Sequence, residues 1–211
     1  MRLAVSISLL PDRRTIFLAF LALVPAAANA HEAVPGVTGF ASQLLHPLVD
    51  TEQLFLLVAA AMVAGRMRPG TLVSAMLALV AGMLAGKGLH LMLPWLPLAW
   101  YAPLVTLALA GLAVAAFRTI SAMSGLALIA LAGAVIAIAI VPEQPTGLSL
   151  ASAVLGTLLT GAALVLAGGA ALGRVQSRWG GVALRVGGAW LAAIALLNLA
   201  LVWQTLGGAV Q

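Results

Sequence analysis

The chain has 211 residues, 64% of them hydrophobic and 7% charged, with a formal net charge of +5. Soluble domains carry about a quarter charged residues, so these few charges cannot cover a water-facing surface, and lipid must be the solvent for most of the chain. The basic residues lie between apolar runs rather than beside aromatics, which argues against a nucleic-acid surface, and the lack of cysteine excludes disulfides, thiolate metal sites and cysteine nucleophiles.

Residues 1–30 have the layout of a removable signal peptide. Arg2, Arg13 and Arg14 form a basic start, Thr15 to Val24 a short apolar run, and Ala28-Asn29-Ala30 a small-x-small cleavage site after Pro25. A retained first helix is the other reading. Cleavage would leave His31-Glu32 at the new end, outside the membrane. A free α-amine and an imidazole on His31 can together chelate a transition metal, or His31 is no more than the residue after the cut.

Residues 31–47 then form a periplasmic N-terminal segment and 48–211 a transmembrane domain. Apolar runs separated by Pro/Gly or polar breaks predict spans near 48–65, 71–93, 98–117, 120–141, 148–172 and 182–206. The expected fold class is an all-α membrane protein, a polytopic bundle of about six transmembrane helices. Helices are required because lipid offers backbone N–H and C=O groups no partner, and no alternating strand pattern of a barrel is visible.

The charges suggest an orientation. With the mature N-terminus outside, the inside loops hold Arg66 and Arg68, then Arg118, then Arg174, Arg178 and Arg185, while the outside segments hold Glu32, Asp50, Glu52 and Glu143. That is the positive-inside pattern of a bacterial inner membrane protein. Trp95, Trp100 and Tyr101 flank the second outside turn, where an aromatic belt belongs. Gly82 and Gly86 in span two, and Gly168, Gly169 and Gly173 in span five, would let helix backbones approach closely.

Polar groups at membrane depth are costly and so are functional candidates. If Pro47 opens a helix, His46 and Asp50 lie one turn apart on one face, with Glu52 at the same depth. Imidazole and carboxylate there suit a divalent metal at an outer mouth; helix-start chemistry, with acids at the positive dipole end, accounts for them as well. Lys87 and His90 fall near the outer end of span two. If spans one and two pack side by side, Lys87 could pair with Asp50 or Glu52 and His90 could face His46. Otherwise Lys87 snorkels to the headgroups and His90 rests at the interface. Asn198 reads as an interhelical hydrogen bond, Thr157 and Thr160 as bonded to backbone carbonyls, and Met62, Met76, Met83, Met92 and Met123 as packing.

The segment Gly39-Phe40-Ala41-Ser42-Gln43-Leu44-Leu45-His46-Pro47-Leu48-Val49-Asp50-Thr51-Glu52-Gln53-Leu54 resembles the stretch before the first span of the HupE/UreJ family, nickel-permease-like accessory proteins of hydrogenases and ureases. Gly39, Phe40, His46, Pro47 and Leu54 match that family's pattern. Glu52 stands where the family has Asp, Gln53 where it has a second His, and Asp50 where it has Gly. Gly156-Thr157 to Gly161, Gly173-Arg174 and Arg185-Val186-Gly187-Gly188 are similar to the family's C-terminal half. The family's His-rich stretch after span four is absent from Val141 to Gly147, as is a His in span five.

The resemblance implies a secondary transporter for a divalent transition metal, nickel or cobalt, with ligand roles carried onto His46 and Glu52 and no further. With the other candidates read from the residues, the ion would enter from the periplasmic side past His31, His46, Asp50, Glu52 and His90, with no resident cofactor. The alternative is a non-transporting accessory or scaffold protein of a metalloenzyme maturation system. Partners would be the bilayer, the metal ion, and a second copy or metalloenzyme accessory proteins. No hydrolase elbow, phosphate loop or dinucleotide fingerprint occurs, so an enzyme is not expected.

Overall fold

The computed structural model describes residues 39–94, 101–140, 147–175 and 177–208. Within them lie seven helices and no strand: α1 (Gly39–Val49), α2 (Thr51–Arg66), α3 (Leu72–Met92), α4 (Ala102–Ala116), α5 (Ala122–Ala139), α6 (Gly147–Gly173) and α7 (Arg178–Gly208). The expected signal peptide, His31, Glu32, Trp95, Trp100 and Glu143 lie outside the described residues.

Helices α3, α5, α6 and α7 are long and apolar enough to cross a membrane, and α1 with α2 adds a fifth if that pair, bent by 74°, is one broken span. Two of the about six expected spans differ from an unbroken membrane-crossing helix. The first is interrupted at Asp50. The third, α4, has 15 residues, about 22 Å of helix against about 30 Å of hydrocarbon. Pro103 in its first turn and extended backbone at Phe117 limit it.

The break before α2 has a local cause. Pro47 does not open a helix as expected; it lies inside α1. It has no N–H to give the carbonyl one turn back, which weakens the helix there. Two residues later α1 ends, and Asp50 (φ −74°, ψ 108°) leaves helical geometry and caps α2.

Helix α2 is the centre of the bundle and touches each of the other six helices. Leu56, Leu57, Ala59, Ala60, Val63 and Ala64 are all buried. Around it, three helix pairs approach at glycines. A Cβ on Gly82 or Gly86 of α3 would strike the backbone of Ala130 or Ala134 of α5, and one on Gly133 of α5 would strike that of Leu79. A Cβ on Gly111 of α4 would come within 2.6 Å of the Gly188 carbonyl of α7, and Gly168 and Gly169 of α6 pack on Ala61 and Ala64 of α2. The glycines expected to permit close approach do so. The main partner of α3 is therefore α5, and α2 and α3, expected side by side, barely touch.

Large apolar side chains cover the outside, among them Leu84, Leu112, Leu155, Val186 and Trp190. Such a surface is stable only against lipid. On α7, exposed Trp179 and Trp203 are separated by about 36 Å of helix, the spacing of two interfacial aromatic belts.

The chain alternates in direction. One end gathers the finish of α2, α4 and α6 and the start of α5 and α7. There the Ile120 N–H donates to the Arg66 carbonyl at 2.9 Å, the Arg66 guanidinium donates to the carbonyls of Arg118 (3.2 Å) and Gly181 (3.0 Å), and Arg185 Nε donates to the Ala115 carbonyl (2.7 Å). The loops expected on one side of the membrane thus meet at one end of the bundle, the arginine end. The opposite end carries the start of α2, with Asp50 and Glu52.

Candidate functional site

The α1–α2 break sets the geometry at that opposite end. Asp50 Oδ1 accepts the backbone N–H groups of Glu52 (3.0 Å) and Gln53 (3.1 Å), satisfying two of the free donors that start α2. Its Oδ2 accepts from Gln53 Nε2 at 3.2 Å. From the last turn of α1, His46 brings Nε2 to 3.8 Å from the same Oδ2. The Asp50 N–H also bonds to the His46 carbonyl (2.9 Å), so the one-turn spacing read from the sequence is real, though carried by the end of α1.

Gln53 is the residue that sequence reasoning passed over. Its side chain is 2% exposed, and its Oε1 is buried without a hydrogen-bond partner. A buried lone acceptor costs about 1–3 kcal/mol, so it is a site where a donor or a cation is favoured. The signal was available: Gln53 precedes Leu56, Leu57 and Ala60 at the i+3, i+4, i+7 spacing of one buried face.

The other candidates are dispersed. Glu52 is exposed on the first turn of α2. His90, near the end of α3, is half-buried and has no ion pair among the described residues. His31 lies outside them. No three His, Asp or Glu side chains among the described residues gather where they could hold a metal ion. The structure therefore brings together His46, Asp50 and Gln53. Glu52 gives its backbone N–H to the same Asp50 carboxylate, and its own carboxylate lies close enough to be repelled by it, while His90 is not joined to them among the described residues.

Two further expectations are corrected. Lys87 neither pairs with Asp50 or Glu52 nor snorkels outward. It is 7% exposed, and its Nζ donates to the Ile140 carbonyl at 2.7 Å. Ile140 closes α5, where free carbonyls and the negative dipole end favour a cation. The glycine contacts that pair α3 with α5 also place Lys87 beside that terminus. Asn198 makes no interhelical bond among the described residues; its Nδ2 donates to the Ile194 carbonyl one turn back (2.8 Å), on an exposed face of α7. Thr160 does find a backbone carbonyl, that of Leu44 in α1 (2.6 Å), and so ties α6 to the broken segment.

The long apolar helices and the lipid-compatible exterior define a multi-pass membrane protein. Residues 18–198 match the HupE / UreJ protein family, and the chain belongs to that family. No curated protein and no solved structure matches it. The family is a transporter and accessory family rather than one of enzymes, and is associated with nickel or cobalt uptake or with accessory roles.

Proposed function

We propose that this chain is a permease for a divalent transition metal, nickel or cobalt, and that the ion enters at the α1–α2 break. The observation that carries the reading is the His46 and Asp50 pair, 3.8 Å apart, with the unpartnered Gln53 Oε1 on the same capping network. An imidazole nitrogen and a carboxylate oxygen, each about 2.1 Å from one ion, would stand roughly 3 Å apart. The His46 side chain is 46% exposed, and a small rotation of its ring closes the difference.

Interrupted helices are a common way for transporters to present backbone ends to an ion. The last turn of α1 directs its free carbonyls and negative dipole end toward the break, which favours a cation. Glu52, exposed on the first turn of α2, would attract the hydrated ion, and His90 and His31 would serve as outer contacts. The gathered arginines support the cytosol for the opposite end by the positive-inside rule, and so support the periplasm for the His46 end. Protons compete with a metal for imidazole, so uptake should fall at acidic pH.

The test is accumulation of nickel and cobalt in cells with and without the gene, and with His46→Ala, Glu52→Ala. Reduced uptake in the variant is expected; equal uptake in all three would eliminate the mechanism. That no third ligand is gathered among the described residues favours a second reading, a non-transporting accessory protein of a metalloenzyme maturation system. That reading predicts a stable co-purifying partner and no metal-dependent phenotype. Uptake by the protein alone in vesicles would remove it.

A further inference from the structure

The arginine end holds a cavity of about 280 Å³ lined by Arg66, Arg118, Arg178 and Arg185, with Ser177 and Gly181 at the start of α7. Arg118 and Arg185 lie close enough to Arg66 to repel its charge. No carboxylate among the described residues relieves this repulsion. The only acids among the described residues are Asp50 and Glu52, at the far end of α2, about 20 Å along the helix. Arg66 Nε is buried without a hydrogen-bond partner, and the side chains of Arg118 and Arg178 make no bond among the described residues. The first turn of α7 adds a positive dipole end to the same space.

A second cavity, about 300 Å³ and lined by Ala115, Val182, Val186 and Ala189, shares Arg185 and Val182 with the first. It is an apolar groove between α4 and α7 that begins where the arginine cavity stops. A phosphate group satisfies the first cavity, because guanidinium forks match its oxygens. An acyl chain satisfies the second.

We propose that this end of the bundle binds the phosphate of an anionic phospholipid, with the headgroup among Arg66, Arg118, Arg178 and Arg185 and a chain along the α4–α7 groove. Basic pockets between spanning helices are suited to such headgroups. The site lies at the opposite end from His46 and does not rest on the transport reading.

The experiment uses the full chain purified in detergent and stripped of lipid. Thermal unfolding is followed with short-chain phosphatidylglycerol, with phosphatidylcholine of the same chains, and with inorganic phosphate. The variants Arg118→Gln and Arg178→Gln leave the bonds made by Arg66 and Arg185 intact. Phosphatidylglycerol should raise the unfolding midpoint well above phosphatidylcholine, and each variant should weaken its binding roughly fivefold. An equal rise with inorganic phosphate would overturn the lipid assignment in favour of a free phosphate. Equal response to the two lipids, or variants that bind phosphatidylglycerol as the native chain does, would overturn the site. Should a variant fail to fold, the lipid comparison on the native chain decides alone.

Discussion

Asp50 holds two jobs that substitution can separate. Its Oδ1 caps α2, and its Oδ2 faces both Gln53 Nε2 and the His46 ring. Asp50→Ala removes the cap, worth about 0.5–2 kcal/mol, and leaves Gln53 Nε2 buried without its acceptor, about 1–3 kcal/mol more. A loss of about 2–4 kcal/mol of stability is expected. Asp50→Asn keeps an equally good capping oxygen. Its new Nδ2 would oppose Gln53 Nε2, but a half-turn of the Gln53 amide presents Oε1 instead. That oxygen is the buried atom now lacking a partner, so the number of unpaired groups stays the same and stability should change by less than about 1 kcal/mol. The carboxylate charge, however, is gone, and with it the anionic oxygen opposite His46. Thermal unfolding in detergent should therefore rank the native chain close to Asp50→Asn and well above Asp50→Ala, while nickel accumulation should fall in both variants. An Asp50→Asn protein as unstable as Asp50→Ala would refute the capping argument. One that accumulates nickel like the native chain would refute the role of the charge.

Three other outcomes are expected. Gly82→Ala puts a methyl group against the Ala130 backbone and should cost about 1–3 kcal/mol by overpacking. Gly88→Ala, with nothing within 4 Å, should be neutral or gain up to about 1 kcal/mol of helix propensity; unfolding midpoints of the two variants distinguish them. Lys87→Ala leaves the buried Ile140 carbonyl without its donor, and a loss of about 1–3 kcal/mol should appear in the same assay; an unchanged midpoint would mean that the ammonium contributes nothing net. Thr160→Val removes the bond to Leu44 and should cost about 0.5–1.5 kcal/mol, with α1 becoming more open to protease or hydrogen exchange if that bond ties it to α6.

Composition by itself determined that lipid surrounds this chain, because a chain so poor in charge cannot face water, and the long apolar runs without a barrel's alternation determined that helices build it. The arginine spacing marked which loops share an end, since charge distribution along the sequence does not depend on packing. The glycines of α3 and α6 marked faces of close approach, but a missing side chain does not name its partner. Only the tertiary structure decided that α3 belongs with α5, and that pairing gave Lys87 the Ile140 carbonyl rather than a carboxylate. The break at Asp50 has a local cause in Pro47 and the capping carboxylate, but the tertiary structure decided that α1 lies against α6, where Thr160 bonds to the Leu44 carbonyl. Gln53 lay in plain view as a polar residue at core spacing; its unpaired oxygen came to light only once the helices were assembled around it. Partners across helices are fixed by three-dimensional fit, which local pattern does not encode.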